Sequence, residues 1–259
     1  MDKQFGIVLI GAGNLATNLG KALVNKGFTI AQVYSRTLES AKSLALALNS
    51  SYVTEFSNIK VGERLYIVSL RDDAFLKYIP EIMSNKEESL VVHTAGSIPL
   101  SALEAYSSRC GVFYPMQTFS KTKSVSFDEL PIFIEASQTK DYELLLAIGR
   151  ALSTKVFEAD SDQRTKLHLA AVFASNFSNH MYSLSSKILK RYGLPLDAMN
   201  SLIMETANKA QEVDPFAAQT GPAIREDYEV MNNHLEMLND LPELQAIYKQ
   251  ISNSIIKNK

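Results

Sequence analysis

The chain has 259 residues, 46% hydrophobic and 21% charged, which is enough apolar side chain for a sizeable core and excludes the disordered and fibrous classes. Its 26 Lys and Arg nearly balance 28 Asp and Glu, for a formal charge of -2. Each part on either side of residue 160 is close to neutral, so no basic face for nucleic acid is expected. The single cysteine, Cys110, excludes an internal disulfide framework, reads as an inert core thiol and fits a reducing compartment.

The chain enters directly into an apolar run at 5–10. The run is far shorter than the ~18 residues of a membrane span and ends in glycine rather than a signal-peptidase site, so a soluble, cytoplasmic protein without a membrane partner is expected. It suits a strand covered on both faces. Helical spacing follows at 14–25 through Leu15, Leu19, Ala22 and Leu23, with Gly27 where a C-cap glycine would sit. A strand at 29–34, a helix at 38–48, a short strand near Tyr52, a strand at 65–69 and a helix at 74–83 continue the alternation. Next come a strand at 90–94, a short helix at 100–106, strands at 112–114 and 132–135, a helix at 142–152 and a strand at 155–158. This order predicts an α/β fold with a doubly wound, mostly parallel Rossmann sheet over residues 1–160. Beyond Asp160 the strand pattern disappears. Helices at 161–192, 196–212, 222–239 and 242–257, punctuated by Pro195, Pro215, Pro222 and Pro242, predict an all-helical domain over 161–259.

Five of the 11 glycines, Gly6, Gly11, Gly13, Gly20 and Gly27, fall in the first 27 residues. Gly11-Ala12-Gly13-Asn14-Leu15-Ala16 is a G-x-G-x-x-A pattern between a predicted strand and a predicted helix. There the first glycine permits the tight turn, the second lets backbone approach a pyrophosphate, and the small third residue lets helix and strand pack closely. The helix start offers free N–H groups and positive dipole to phosphates. At the end of the second strand stand Ser35, Arg36 and Thr37. They lack the carboxylate that would hold an NAD ribose and supply a guanidinium and hydroxyls suited to a 2′-phosphate, so NADP(H) is the expected cofactor. Later strand ends carry Ser69-Leu70-Arg71-Asp72-Asp73 and His93-Thr94-Ala95-Gly96-Ser97, plausible walls of the same crevice. Asp72 and Asp73 serve equally as helix caps.

Tyr114-Pro115-Met116-Gln117-Thr118-Phe119 follows a strand and is placed to reach the reactive end. The predicted helix from Leu167 to Ile188 is apolar nearly all round, which implies burial. At 100° per residue, however, His168, Ser175, Asn176, Asn179, Ser183 and Ser186 form one polar stripe. That stripe is either a structural hydrogen-bond seam or a face turned to cofactor and substrate. In the second case His168 exchanges a proton and Asn176 orients the substrate. Thr220-Gly221-Pro222-Ala223-Ile224-Arg225 reads as a helix start with Arg225 one turn in, a candidate anion site for a substrate carboxylate or phosphate. A plain capped helix is the alternative. No spacing of the four histidines, Cys110 and carboxylates resembles a metal site.

Together these motifs resemble a family of NADP oxidoreductases with a Rossmann-like N-terminal half and a C-terminal helical domain of unknown function. The family is related to pyrroline-5-carboxylate reductase, 6-phosphogluconate dehydrogenase and deazaflavin-dependent NADP oxidoreductases. The resemblance rests on the glycine motif, Tyr34-Ser35-Arg36-Thr37, His93 to Ser97, Tyr114 to Phe119, Leu167 to Phe177 and Thr220 to Arg225. It implies NADP binding and a homodimer built through the helical domain. Hydroxyacid dehydrogenases of this superfamily place a lysine four residues before the helix asparagine, where this chain has Val172, so that acid–base pair is not carried over. Glu226 also stands before Asp227 where the family pattern has glycine.

The expected function is hydride transfer between NADP(H) and a small carbonyl or imine compound held between the two domains. Gly11, Gly13, Asn14, Leu15, Ala16, Ser35, Arg36, Thr37, Ser69 and Leu70 would bind cofactor. His93, Thr94, Gln117, His168 and Asn176 would line the reactive end, and Thr220, Gly221 and Arg225 would hold the substrate. The missing lysine favours the alternative, an NADP-binding regulator or scaffold without turnover.

Overall fold

In the computed structural model, which describes residues 5–62, 65–86 and 88–259, the first apolar run forms strand β1 (Gly6–Ile10). Its side chains alternate between two cores: Ile7 and Leu9 pack on one face, Val8 and Ile10 on the other. Residues 1–4 lie outside the described residues. The same two-sided burial holds in β4 (Leu65–Val68), β5 (Leu90–His93) and β6 (Cys110–Pro115), every residue of which is buried. β2 (Thr29–Tyr34), β3 (Ser51–Val53), β7 (Ile132–Ala136) and β8 (Val156–Glu158) complete one sheet in the order β3-β2-β1-β4-β5-β6-β7-β8. All neighbours pair in parallel except β6 and β7. The chain winds outward from β1 to β3 and returns to β4 on the other side of β1, so the β1–β4 carboxyl ends form the switch point at which such sheets bind ligands.

Helices α1 (Asn14–Asn25), α2 (Leu38–Ala47), α3 (Asp72–Met83), α4 (Ser101–Glu104) and α5 (Thr139–Leu152) connect the strands. The expected doubly wound sheet is therefore present, with most element ends within a few residues of their expected positions.

The helical part departs further from expectation. The segment predicted as one helix over 161–192 is α6 (Ser161–Ala171), a π turn (Val172–Phe177) and α7 (Ser178–Arg191). Nor is it buried all round: Leu169 and Phe173 are 60% and 63% exposed. The predicted helix over 196–212 opens with a 3-10 turn at Leu196–Met199 and becomes α8 (Asn200–Glu212). The predicted helix over 222–239 begins only at Tyr228, as α9 (Tyr228–Met237), because Asp227 caps it through the Val230 amide. Glu226 lies just before, at φ +55°, a left-handed conformation that stops a helix. α10 (Pro242–Lys257) matches its expectation.

The chain divides into two compact units, residues 1–176 and 177–259, so α6 belongs with the sheet rather than opening the helical part at 161. The reason is Arg164, 0% exposed. Its guanidinium pairs with Glu135 of β7 and donates to the Ile98 carbonyl at 2.6 Å. Ser161 adds its hydroxyl to the Glu135 carboxylate at 2.9 Å and accepts from the Leu100 amide at 2.9 Å. Among the described residues no helix is long and apolar enough to cross a membrane, and no cluster of His, Cys, Asp or Glu forms a metal cage.

Candidate functional site

Gly11 leaves β1 at φ +121°, and a Cβ built there would lie 2.2 Å from the Ser69 carbonyl oxygen. The position therefore excludes any side chain twice, by backbone conformation and by contact. Its amide donates to the Tyr34 carbonyl at 2.8 Å, and the Ser69 amide donates to Ile10 at 2.8 Å. The glycine turn, the end of β2 and the end of β4 are thus drawn together. Gly13 is the N-cap of α1 without a side-chain cap, and the first intrahelical bond runs from the Thr17 amide to Gly13 at 3.0 Å. The amides of Asn14, Leu15 and Ala16 form the first turn in front of it, the arrangement that receives a pyrophosphate. Leu70 packs 3.4 Å from the Gly11 Cβ direction, Ser35 donates its amide to Val53 at 3.2 Å, and Arg36 and Thr37 are exposed beside it at the start of α2. These residues fit a dinucleotide phosphate.

Asn18, which the sequence did not single out, is a buried clamp between this helix and the loop after β6. Its Nδ2 donates to the Asn14 and Ser120 carbonyls, both at 2.9 Å, and its Oδ1 accepts from the Val125 amide at 3.4 Å. Gln117 and Thr118 lead into the loop so anchored; Gln117 is exposed and accepts the Thr118 amide at 2.8 Å.

At the ends of β5 and β6 the structure gathers His93, Thr94, Tyr114, Arg164 and His168. The His168 ring, half-buried, sits with Nδ1 3.3 Å from the Tyr114 hydroxyl and its plane edge-on to the phenol. Gly96 makes the room: a Cβ there would stand 2.8 Å from the His168 Cγ and Nδ1. Burial pushes the Tyr114 phenol up, and the charge of Arg164 opposes this in part.

His93 requires a correction. It is 1% exposed and edge-on to Phe75, and its Nδ1 accepts the Ala95 amide at 3.2 Å. Burial, then the positive charge of Arg164, pushes its pKa down to about 3. A ring that is neutral and enclosed near pH 7 supports the β5 end and does not line a reactive surface. Thr94 is likewise buried, its amide donating to Val68 at 3.2 Å.

The polar stripe crosses the Val172–Phe177 π turn, which winds less per residue than an α-helix. At 100° per residue Asn176 would stand about 80° from His168, and the slower winding of the π turn reduces that angle; Asn176 is exposed. Asp72 and Asp73 do not cap α3. Arg71 holds the N-cap position and pairs with Asp73 at 3.2 Å, while the Asp72 carboxylate accepts the Ser97 hydroxyl and joins the loops after β4 and β5.

In the helical unit the expected helix start at Thr220 is a series of turns with Gly221 at φ +111° and Arg225 exposed. Thr220 instead lines an apolar cavity of about 510 Å³ together with Leu184, Ile188, Ile247 and Ile251.

Two family models match the chain: Shikimate / quinate 5-dehydrogenase over residues 2–65 and a domain of unknown function (DUF2520) over 130–255. No curated protein matches it. Among solved structures, a "putative NADP oxidoreductase" from Bacteroides fragilis is 54% identical, with 98% of this chain and 99% of that one covered at a TM-score of 0.95. An imine reductase from Myxococcus stipitatus in complex with NADP+ is 16% identical, covering 97% and 92% at a TM-score of 0.68. A pyrroline-5-carboxylate reductase from Coxiella burnetii is 16% identical, covering 99% of both chains at 0.60. The last two share the fold.

Proposed function

The chain belongs to the same family as the Bacteroides fragilis "putative NADP oxidoreductase", and from that premise we propose that it moves hydride between NADP(H) and a small carbonyl or imine compound. Gly11, Gly13 and the amides of Asn14 to Ala16 receive the pyrophosphate; Ser35, Arg36 and Thr37 hold the 2′-phosphate; Ser69 and Leu70 wall the turn. The bound cofactor supplies the hydride, and the chain's task is to orient the acceptor and to deliver a proton to its oxygen or nitrogen.

The observation that carries the reading beyond cofactor binding is the half-buried His168 imidazole against Tyr114, at the strand ends where a Rossmann sheet receives its ligands. His168 is the proton donor, with Gln117 and Asn176 as polar neighbours of the acceptor and the buried His93 and Thr94 as supports behind it. Thr220, Gly221 and Arg225 remain the proposed substrate anchors, through Arg225 and the open turn rather than a helix end. A homodimer through the helical unit belongs to the same reading, supported by the exposed Leu202, Met204 and Phe216.

The test is consumption of NADPH, followed by nicotinamide absorbance, with a panel of keto acids, imines and enals. Turnover of at least one is expected. Micromolar NADPH binding with no turnover of any would favour the regulator instead. In the same preparation Arg36→Ala should weaken NADPH about 10- to 100-fold, as loss of a charged hydrogen bond does, and NADH far less. Equal weakening of both removes Arg36 from the site. Sedimentation of the untreated protein as a monomer would remove the dimer.

A further inference from the structure

Three facts single out Tyr114 within this reading. Its hydroxyl is the group against His168 Nδ1, at 3.3 Å. It is 8% exposed whereas His168 is half-buried, so the phenol stands behind the imidazole. Gly96 is held without a side chain where any Cβ would displace the His168 ring from it. A buried phenol beside a ring nitrogen is a hydrogen-bond donor, and the partner of one imidazole nitrogen decides which nitrogen carries the proton.

We propose that Tyr114 is the positioning residue of the site: its O–H donates to His168 Nδ1, fixing the tautomer whose proton is on Nε2, the nitrogen available to the acceptor. The inference rests on His168 as proton donor and names what makes a neutral imidazole able to serve. As the Nε2–H bond breaks and its proton joins the acceptor's oxygen or nitrogen, the Tyr114 O–H bond breaks and its proton forms the Nδ1–H bond. The imidazole stays neutral and the negative charge rests on the phenolate; before the next turnover Nδ1 returns its proton to the phenolate as Nε2 takes one from water, which leaves as hydroxide and restores the Nε2–H tautomer. Arg164 favours that phenolate, since its buried guanidinium already lowers the proton affinity of Tyr114 against the effect of burial.

Nitrogen-15 spectra of histidine-labelled protein at pH 8 test the arrangement without any substrate, with His168→Gln identifying the signal. The wild type is expected to show His168 wholly as the Nε2–H tautomer, and Tyr114→Phe to show a mixture with Nδ1–H. A wild-type ring carrying its proton on Nδ1, or a Tyr114→Phe spectrum unchanged from wild type, overturns the proposal. Should Tyr114→Phe fail to fold, the wild-type tautomer decides. With any acceptor that is reduced, Tyr114→Phe should lower kcat about 10-fold or more at unchanged NADPH Kd, and an unchanged kcat overturns the relay. If no acceptor is reduced, the oxidoreductase reading fails while the spectra judge the Tyr114–His168 pair separately.

Discussion

Arg164→Met should cost about 3–5 kcal/mol of unfolding free energy, the usual penalty for stranding one partner of a buried ion pair. The guanidinium is fully enclosed and serves two elements at once: Glu135 on β7, and the Ile98 carbonyl in the segment after β5. Methionine fills much of the volume but leaves the Glu135 carboxylate with Ser161 alone and the Ile98 carbonyl without its donor. Lysine is no substitute, because a single ammonium cannot reproduce the planar fork that reaches both acceptors. Urea denaturation followed by circular dichroism measures the loss. Converting both partners, Arg164→Met with Glu135→Leu, should recover much of it, since an apolar pair avoids the desolvation cost that the ion pair carries. A loss below about 1 kcal/mol in the single variant would mean that water reaches the guanidinium, contrary to its burial.

How much of this was legible in the sequence depended on the range of the interaction. The glycine turn could be read because local backbone requirements are written locally: Gly11 is glycine for its own φ and for a carbonyl that the fold always brings there. Buried parallel strands announce themselves as short apolar runs for the same reason. Arg164 looked like any surface arginine on a polar helix, because its partners Glu135 and Ile98 are 29 and 66 residues away. Gly96 was noted only as part of a polar loop, and its need for no side chain comes from His168, on α6.

Where the sequence misled, regular geometry had been assumed. The single helix over 161–192 required unbroken α geometry, and six residues of π turn divide it. The helix start at Pro222 followed a sound statistical preference for proline in a first turn, but Asp227 caps the helix five residues later and Glu226 adopts a left-handed φ before it. His93 drew notice because it stands at a strand end facing the expected crevice. Its burial against Phe75 encloses the ring, and that burial with the charge of Arg164 keeps it neutral.

His168→Ala should lower turnover by about 100- to 10,000-fold, the range for loss of a positioned general acid, while the NADPH Kd stays within about twofold. The separation arises from where the two groups lie. The phosphate contacts are assigned to the turn after β1 and the end of β2, whereas His168 is on α6 against Tyr114 and Gly96. Its removal leaves the Gly11 bond to Tyr34 at the end of β2, and the bond from Ser69 at the end of β4 to Ile10, untouched. Because the ring is half-buried and α6 is held at its start by the Asp160 cap and by Arg164, the stability cost should stay near 1–2 kcal/mol, an ordinary value for a point substitution. Kinetics with an accepted substrate, NADPH titration and urea denaturation on one preparation separate the outcomes. A collapse of stability with turnover per folded molecule preserved would make His168 a packing residue. Weakened NADPH binding at unchanged stability would place it on the cofactor. Only a fall in kcat with both other quantities intact leaves it as the proton donor.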